Sequence, residues 1–69
     1  MSQEIRQKIA NNVKKYRTIK KYKREELSLL LGFDNSYISK LERKSINITI
    51  DKLEQIANAL DIEIIELLK

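Results

Sequence analysis

The stretch Arg24–Glu42, REELSLLLGFDNSYISKLE, predicts two short helices joined by a tight turn. Gly32 lacks a Cβ and can adopt the left-handed conformation that closes a helix, after which Phe33 can return to the core. Ser28 is small and falls where two steeply crossing helices must approach closely. The first helix has apolar residues at Leu27, Leu30 and Leu31, and the set expected to pack inward is Leu27, Leu31, Phe33, Ile38 and Leu41.

The starts of these two helices carry suitable polar residues. Glutamates at positions 25 and 26 fall in the first turn of a helix predicted over about residues 24–31, where acids suit the positive end of the helix dipole. Asp34 can accept hydrogen bonds from the amides of Ser36 or Tyr37. It is therefore the expected N-cap of a helix that runs to about Arg43.

Apolar residues recur at helical spacing on both sides of this stretch. A helix is predicted over about residues 3–20, with a stripe formed by Ile5, Ile9, Val13 and Tyr16. Another is predicted after an N-cap at Thr49, with Leu53, Ile56, Ala57 and Leu60 at core spacing. A short last helix is predicted over about residues 63–68. Because the chain has no Pro, one Gly and no repeat, residues 1–69 are expected to form a single all-α domain.

The size and composition restrict how such a domain can be stabilised. A 69-residue chain has a core near the lower limit for independent folding, and this one has no Cys and no His. Disulfides and ordinary metal sites are therefore excluded, which leaves self-association. No segment is long and apolar enough for a signal peptide or a membrane span, so we expect a cytoplasmic protein without metal, cofactor, membrane or small-molecule partners.

Charge is distributed unevenly along the chain. The net charge is +4, but residues 1–24 contain nine Lys or Arg and one acid, whereas residues 49–69 contain two Lys and five acids. A basic end of this kind suits a phosphate-facing surface and equally suits a solvated helix face. The charge pattern alone does not decide between them.

The segment REELSLLLGFDNSYISKLER resembles the phage-repressor-type (Cro and cI) helix-turn-helix family, and the similarity extends from about Ile9 to Leu67. YISKLER followed by NITIDKLEQIANAL is specific to that pattern. The resemblance implies a compact five-helix, lambda-repressor-like domain with its helix-turn-helix at about residues 24–43, acting as a homodimer on a palindromic double-stranded DNA operator. DNSYISKLERKSINITIDKLEQI is most similar to controller proteins of restriction–modification systems, which regulate transcription from their own promoters.

In such a fold the second helix of the motif points its first turn and the next outward turn into the major groove. The predicted base-reading residues are Asn35, Ser36, Ser39 and Lys40. An Asn can bridge the donor and acceptor of adenine, a Ser can serve either base, and a Lys can donate to guanine. The alternative for Asn35 and Ser36 is ordinary polarity at a helix start.

Phosphate contacts are expected beside these residues, because they fix the register in which a few side chains read bases. The predicted backbone-contacting residues are Arg24, Tyr37, Arg43, Lys44, Ser45 and Asn47. Arg24 stands where the family commonly has Gln. Tyr37 has two interpretations: its ring packs against the first helix while its hydroxyl reaches a phosphate, or the side chain serves in packing alone. Diffuse attraction is expected from Arg17, Lys20, Lys21 and Lys23.

Three positions depart from the family pattern. Lys44 and Asp61 replace glycines that are common there, although Asp tolerates the left-handed conformation fairly well. Ile46 replaces a residue that is usually basic in controller-like relatives. Its side chain could touch a thymine methyl or join a dimer contact, and the sequence does not choose between these.

The C-terminal segment is more apolar than one face of a short helix can bury. Its predicted dimer-interface residues are Ile62, Ile64, Ile65, Leu67 and Leu68. The alternative is a last helix folded wholly onto its own core. A twofold dimer would bury the surplus on both copies and place two recognition helices about 34 to 36 Å apart.

Other classes of function fit less well. Catalysis is not expected, because the chain lacks His, Cys and a phosphate-binding glycine loop. The main alternative is a DNA-binding antitoxin or protein-interaction module of a toxin–antitoxin pair, for which no extra segment is obvious. Membrane binding through a basic amphipathic helix is a third option, made unfavourable by the acids of the Glu25–Leu41 region.

Overall fold

The computed structural model describes residues 3–44 and 46–69 and consists of four α-helices followed by one turn of 3₁₀ helix. The elements are α1 (Gln3–Ile19), α2 (Arg24–Leu30), α3 (Tyr37–Glu42), α4 (Ile50–Ala59) and the 3₁₀ helix η1 (Ile64–Leu67). No strand occurs among these residues. The predicted all-α architecture is confirmed, except that its fifth helix is a single 3₁₀ turn.

The core lies at the centre of the domain, and all five elements contribute residues to it. α1 packs against α3 and η1, α2 packs against α3, and α4 packs against η1. The buried cluster is formed by Ile9, Val13, Leu27, Ile38, Leu41, Ile48, Leu53, Ile56, Ala57, Leu60 and Leu67. The helical spacings in the sequence therefore identified most of the core, including the whole predicted stripe of α4.

A buried hydroxyl fixes the crossing of α2 and α3. Ser28 is fully buried, and its Oγ accepts a hydrogen bond from the backbone N–H of Ile38 at 3.0 Å. The same hydroxyl donates to the carbonyl of Arg24 at 2.9 Å. The small side chain thus permits the close approach that the sequence predicted, and it also satisfies a buried amide at the first turn of α3.

The turn after α2 closes the helix in the predicted way. Gly32 has φ +76°, and its amide donates to Leu29 O while that of Phe33 donates to Ser28 O, both at 3.0 Å. This bond pattern is the Schellman motif, which requires a left-handed residue after the helix. Phe33 is half-buried beside the core, as expected.

The same left-handed ending occurs at three residues that have a Cβ. Lys21, Lys44 and Asp61 have φ of 63°, 62° and 59°. The expected conformation of Asp61 is confirmed. That of Lys44 explains why glycine is common at its position, whereas nothing in the sequence marked Lys21 as a left-handed residue.

Three local expectations differ from the structure, and the first concerns Ile5 of the predicted α1 stripe, which is exposed. Leu30 is exposed. The inward side of α2 is defined by Leu27, Ser28 and Leu31. Around the helix axis, Leu30 lies about 60° from Leu27, in the direction away from Ser28 and Leu31. The helical turns of α3 begin at Tyr37, with Ser36 rather than Asp34 in the capping position.

The 3₁₀ geometry of η1 divides its apolar residues between two sides. With three residues per turn, Ile64 and Leu67 share one side and Ile65 and Leu68 share the other. Leu67 is fully buried in the chain's own core, and its carbonyl accepts from Asn12 Nδ2 at 3.1 Å. The prediction that Leu67 contacts a second copy is therefore wrong.

Replacing Ser28 tests the crossing of α2 and α3. We expect Ser28→Ala to lower the free energy of unfolding by about 1 to 3 kcal/mol, because the buried amide of Ile38 loses its acceptor. Urea unfolding followed by circular dichroism measures the change, with Ser39→Ala, at a half-buried serine of α3, as the control. Equal effects of the two substitutions would contradict this role for Ser28.

Candidate nucleic-acid interface

The side of α3 turned away from the core carries the residues predicted to read bases. Ile38 and Leu41 are buried, whereas Asn35 and Lys40 are exposed and Ser36 and Ser39 are half-buried. The four predicted residues therefore lie along one polar edge, which begins in the turn before α3 and continues onto the helix. No element of the described chain covers the two exposed ones.

A small polar network stands at the start of this edge. The hydroxyl of Ser36 donates to Oδ2 of Asp34, and the Nζ of Lys40 lies 3.9 Å from the same oxygen. The hydrogen bond from the Ser36 side chain is the main reason that the pKa of the Asp34 carboxyl lies below its ordinary value. Asp34 is thus an ionised neighbour of Ser36 and Lys40, two residues predicted to read bases. The sequence had suggested only an N-cap role for it.

The half-buried side chain of Tyr37 packs in a small aromatic group. Its ring lies 4.7 Å from that of Phe33, and the Nζ of Lys52 lies 4.9 Å from the Tyr37 ring centre. The hydroxyl is buried and has no hydrogen-bond partner among the described residues, and burial raises its pKa. The packing interpretation therefore describes this conformation, with Phe33 and Lys52 as the observed partners.

Two arginines share the carboxylate of Glu42, and their surroundings differ. Arg17 Nε lies 2.8 Å from Glu42 Oε2, and Arg17 Nη1 donates to the carbonyl of Tyr22 at 2.7 Å. Arg24 Nη1 lies 3.7 Å from Glu42 Oε1. The side chain of Arg17 is 12% exposed and that of Glu42 is 6% exposed, whereas that of Arg24 is 53% exposed.

This arrangement assigns the two arginines different tasks. Arg17 joins the end of α1 to the end of α3, and its guanidinium is engaged in these internal contacts. The expectation that Arg17 adds to the diffuse attraction is therefore wrong. Arg24 stands at the start of α2 with its guanidinium half exposed, where a phosphate can approach it. The sequence had placed Arg24 among the phosphate contacts and Arg17 among the sources of diffuse attraction, but it carried no signal for the pairing of Arg17 with Glu42.

The loop after α3 contains the remaining predicted backbone contacts. Arg43 and Asn47 are exposed and Lys44 is half-buried, whereas Ser45 lies outside the described residues. Asn47 Oδ1 accepts a hydrogen bond from Arg6 Nη2, which ties this loop to α1. Arg6 is therefore a further basic residue beside the loop that the sequence did not single out.

Ile46 makes a contact within the chain that the sequence analysis did not consider. Its side chain is partly buried and packs against the core, in a narrow space lined also by Arg6, Ile9 and Leu41. It replaces a basic residue of the family pattern with an apolar contact that fastens the loop to the domain.

The C-terminal surface combines an acidic groove with exposed apolar side chains. Ile65 is 57% exposed and Leu68 is 40% exposed, whereas Ile62 and Ile64 are half-buried. A groove of about 550 Å³ lies between α4 and this segment, lined by Glu54, Ala57, Asn58, Asp61, Ile62, Glu63 and Ile64. Four of the five predicted interface residues therefore keep surface that a second copy can contact.

Neither a metal site nor a membrane span is found in the part of the chain that the structure describes. No group of three or more His, Cys, Asp or Glu side chains in residues 3–44 and 46–69 could hold a metal ion. No helix in these residues is long and apolar enough to cross a membrane.

The buried crossing of α2 and α3, together with the open polar edge of α3, defines a helix-turn-helix protein. Residues 13–67 match the helix-turn-helix family HTH_3, and the chain belongs to that family. The predicted family is thereby confirmed.

The similarity to individual proteins extends over nearly the whole chain. A hypothetical transcription factor of Neisseria meningitidis is 36% identical over 66 residues, which cover 96% of this chain and 62% of that protein, so this chain spans less than two thirds of it. The control protein C.SmaI of Serratia marcescens is 35% identical over 65 residues, covering 94% of this chain and 77% of the relative.

Solved structures agree with this similarity. The crystal structure of the hypothetical transcription factor NHTF from Neisseria has a TM-score of 0.92 and 34% identity, covering 100% of this chain and 82% of that one. The restriction-modification controller protein C.Esp1396I, solved as a tetramer with its natural 35 base-pair operator, has a TM-score of 0.78 and 34% identity, with both chains fully covered. The predicted similarity to controller proteins is also confirmed.

The different tasks of the two arginines can be measured by stability. Arg17→Leu is expected to lower the free energy of unfolding by about 3 kcal/mol, because it leaves the Glu42 carboxylate buried without its principal partner. Arg24→Leu is expected to cost less than about 1 kcal/mol, since its ion pair is half exposed. Urea denaturation of both variants provides the comparison, and equal losses would be inconsistent with this assignment.

Proposed function

We propose that this protein is a sequence-specific regulator of transcription that binds double-stranded DNA through α3, in the manner of restriction–modification controller proteins. The observation that carries the proposal is the open polar edge formed by Asn35, Ser36, Ser39 and Lys40 on a helix whose other side is locked into the core. The similarity to C.Esp1396I, which was solved on its operator, supports the same function.

The proposed contacts divide into two kinds. Asn35, Ser36, Ser39 and Lys40 read base edges in the major groove. Arg24, Arg43, Lys44, Ser45 and Asn47 contact the phosphates on either side and fix the register. Tyr37 contributes by packing against Phe33, and its hydroxyl joins the phosphate contacts only if the side chain turns outward.

Electrostatics supports this orientation. The N-terminal third holds nine of the 14 basic residues, and α2 begins within it at Arg24. After Arg17 is assigned to the buried ion pair, the exposed cations at positions 20, 21, 23 and 24 still lie before or at the start of α2. A surface of this sign attracts the duplex without regard to sequence and makes binding strongly dependent on salt.

We further propose that the protein acts as a homodimer on a palindromic operator in the cytoplasm. Ile65 and Leu68 lie on the outward side of η1, and Ile62 and Ile64 border the neighbouring groove. Burying two such side chains at the contact contributes on the order of 3 to 6 kcal/mol before the cost of association. A twofold contact there would place two α3 helices on the same face of the duplex, one helical turn apart.

Substitutions at the two kinds of contact should affect binding differently. Asn35→Ala and Ser36→Ala are expected to lower affinity for a selected operator by about tenfold while changing affinity for random duplex little. Arg24→Ala should weaken both duplexes by the same factor and reduce the salt slope by about one. Fluorescence anisotropy titrations at several salt concentrations measure these effects, and the same pattern of loss for all three variants would refute the division of contacts.

The dimer contact can be tested without DNA. Leu68→Glu is expected to give monomers, because it places a charge in the proposed apolar interface. Leu29→Glu adds the same charge at an exposed leucine of α2 and should leave the dimer intact. Sedimentation equilibrium gives the masses, and an unchanged mass for the Leu68 variant would exclude this interface.

A further inference from the structure

The Asp34–Ser36 pair presents only hydrogen-bond acceptors to a ligand. A Ser hydroxyl has one proton, and that of Ser36 is donated to Oδ2 of Asp34. An ionised carboxylate has no proton of its own. The pKa of Asp34 is lowered chiefly by this bond, so the carboxyl is ionised at neutral pH. What remains on both side chains is lone pairs.

The position of this pair is set by the backbone. The Ser36 hydroxyl donates to the Asp34 carboxylate, and the backbone amides of Ser36 and Asn35 also lower the pKa of this carboxyl. The turn it braces is closed by the amide of Tyr37 donating to Asp34 O at 2.9 Å. Asp34 is 67% exposed at its side chain, so the carboxylate is held firmly and still faces solvent at the start of the polar edge.

We infer that Asp34 is a specificity-determining residue, which together with Ser36 selects a base that presents an exocyclic amino group in the major groove. This inference rests on the proposed function, because it needs α3 to lie in that groove. The amino groups available there are N6 of adenine and N4 of cytosine. Guanine and thymine present carbonyl oxygens at the equivalent positions, which would face the lone pairs of Asp34 and Ser36.

The inference also narrows the role of Ser36. A serine can in general donate to a base or accept from one. Here its proton is already used, so Ser36 accepts and Asn35 and the cationic Lys40 supply the donors. Lys40 Nζ lies 3.9 Å from Oδ2 of Asp34, which places a donor beside the acceptor pair. The polar edge can therefore accept from an amino group of one base pair and donate to an acceptor of the neighbouring base pair.

Transition substitutions in the operator test this inference, since they exchange an amino group for a carbonyl while keeping ring size. A duplex is first selected with the wild-type chain from a pool with a randomised central segment. Each base pair of one half-site is then changed, A·T to G·C or C·G to T·A, and affinity is measured. Several positions should be sensitive, since Asn35 and Lys40 also read bases, and among them we expect one, read by Asp34 and Ser36, at which the wild type loses about tenfold or more. An adenine or a cytosine at that position identifies which amino group is read.

Asp34→Asn is the decisive variant, because an amide can cap the turn and can also turn its NH₂ toward a carbonyl. At that same position, the affinities of the Asp34→Asn variant for the original and the substituted duplex should differ by threefold or less. Asp51→Asn makes the same change in charge in the first turn of α4 and should keep the wild-type preference. If Asp34→Asn discriminates as the wild type does, the inference is overturned while the proposed function stands. If no duplex is selected at all, both are overturned.

Discussion

The hydrogen bond between the Ser28 hydroxyl and the Ile38 amide is the constraint on which the rest of the molecule depends. It joins the middle of α2 to the first turn of α3 inside the core, where a backbone amide without a partner would be costly. The closeness it requires excludes a larger side chain at position 28. By fixing one side of α3 in this way, it determines which residues of that helix face solvent, and a polar edge of defined composition follows from it.

The helices, the turn at Gly32 and the family could be predicted because each has a short-range signal in the sequence. Helical spacing identified Ile9, Val13 and Leu53, and a missing Cβ identified Gly32. Contacts between distant residues have no such signal. The pairing of Arg17 with Glu42 spans 25 positions, and the Arg6–Asn47 contact spans 41. Both had to be seen in the structure, and the first removed an arginine from the predicted basic surface.

The sequence predicted which residues belong to the candidate site better than it predicted where each side chain points. Its exposed members, Asn35 and Lys40, lie where an outward helix face was expected, whereas the Tyr37 hydroxyl turns inward and Ile46 packs on the core. At the other end of the chain, the 3₁₀ form of η1 likewise makes the exposed residues differ from those expected. An α-helix there was expected to offer Leu67 to a partner, but three residues per turn place Leu67 beneath Ile64 and leave Ile65 and Leu68 outside.

The left-handed residues that end the helices have a consequence for the lifetime of the protein. Lys21, Lys44 and Asp61 each hold a conformation that costs an ordinary side chain roughly 1 kcal/mol or more, in a chain whose small core leaves a narrow margin of stability. Whatever binds only the folded chain widens that margin by mass action. Molecules bound to duplex DNA, or to a second copy in the proposed dimer, should therefore resist proteases longer than unbound ones, so that the unbound molecules are degraded first.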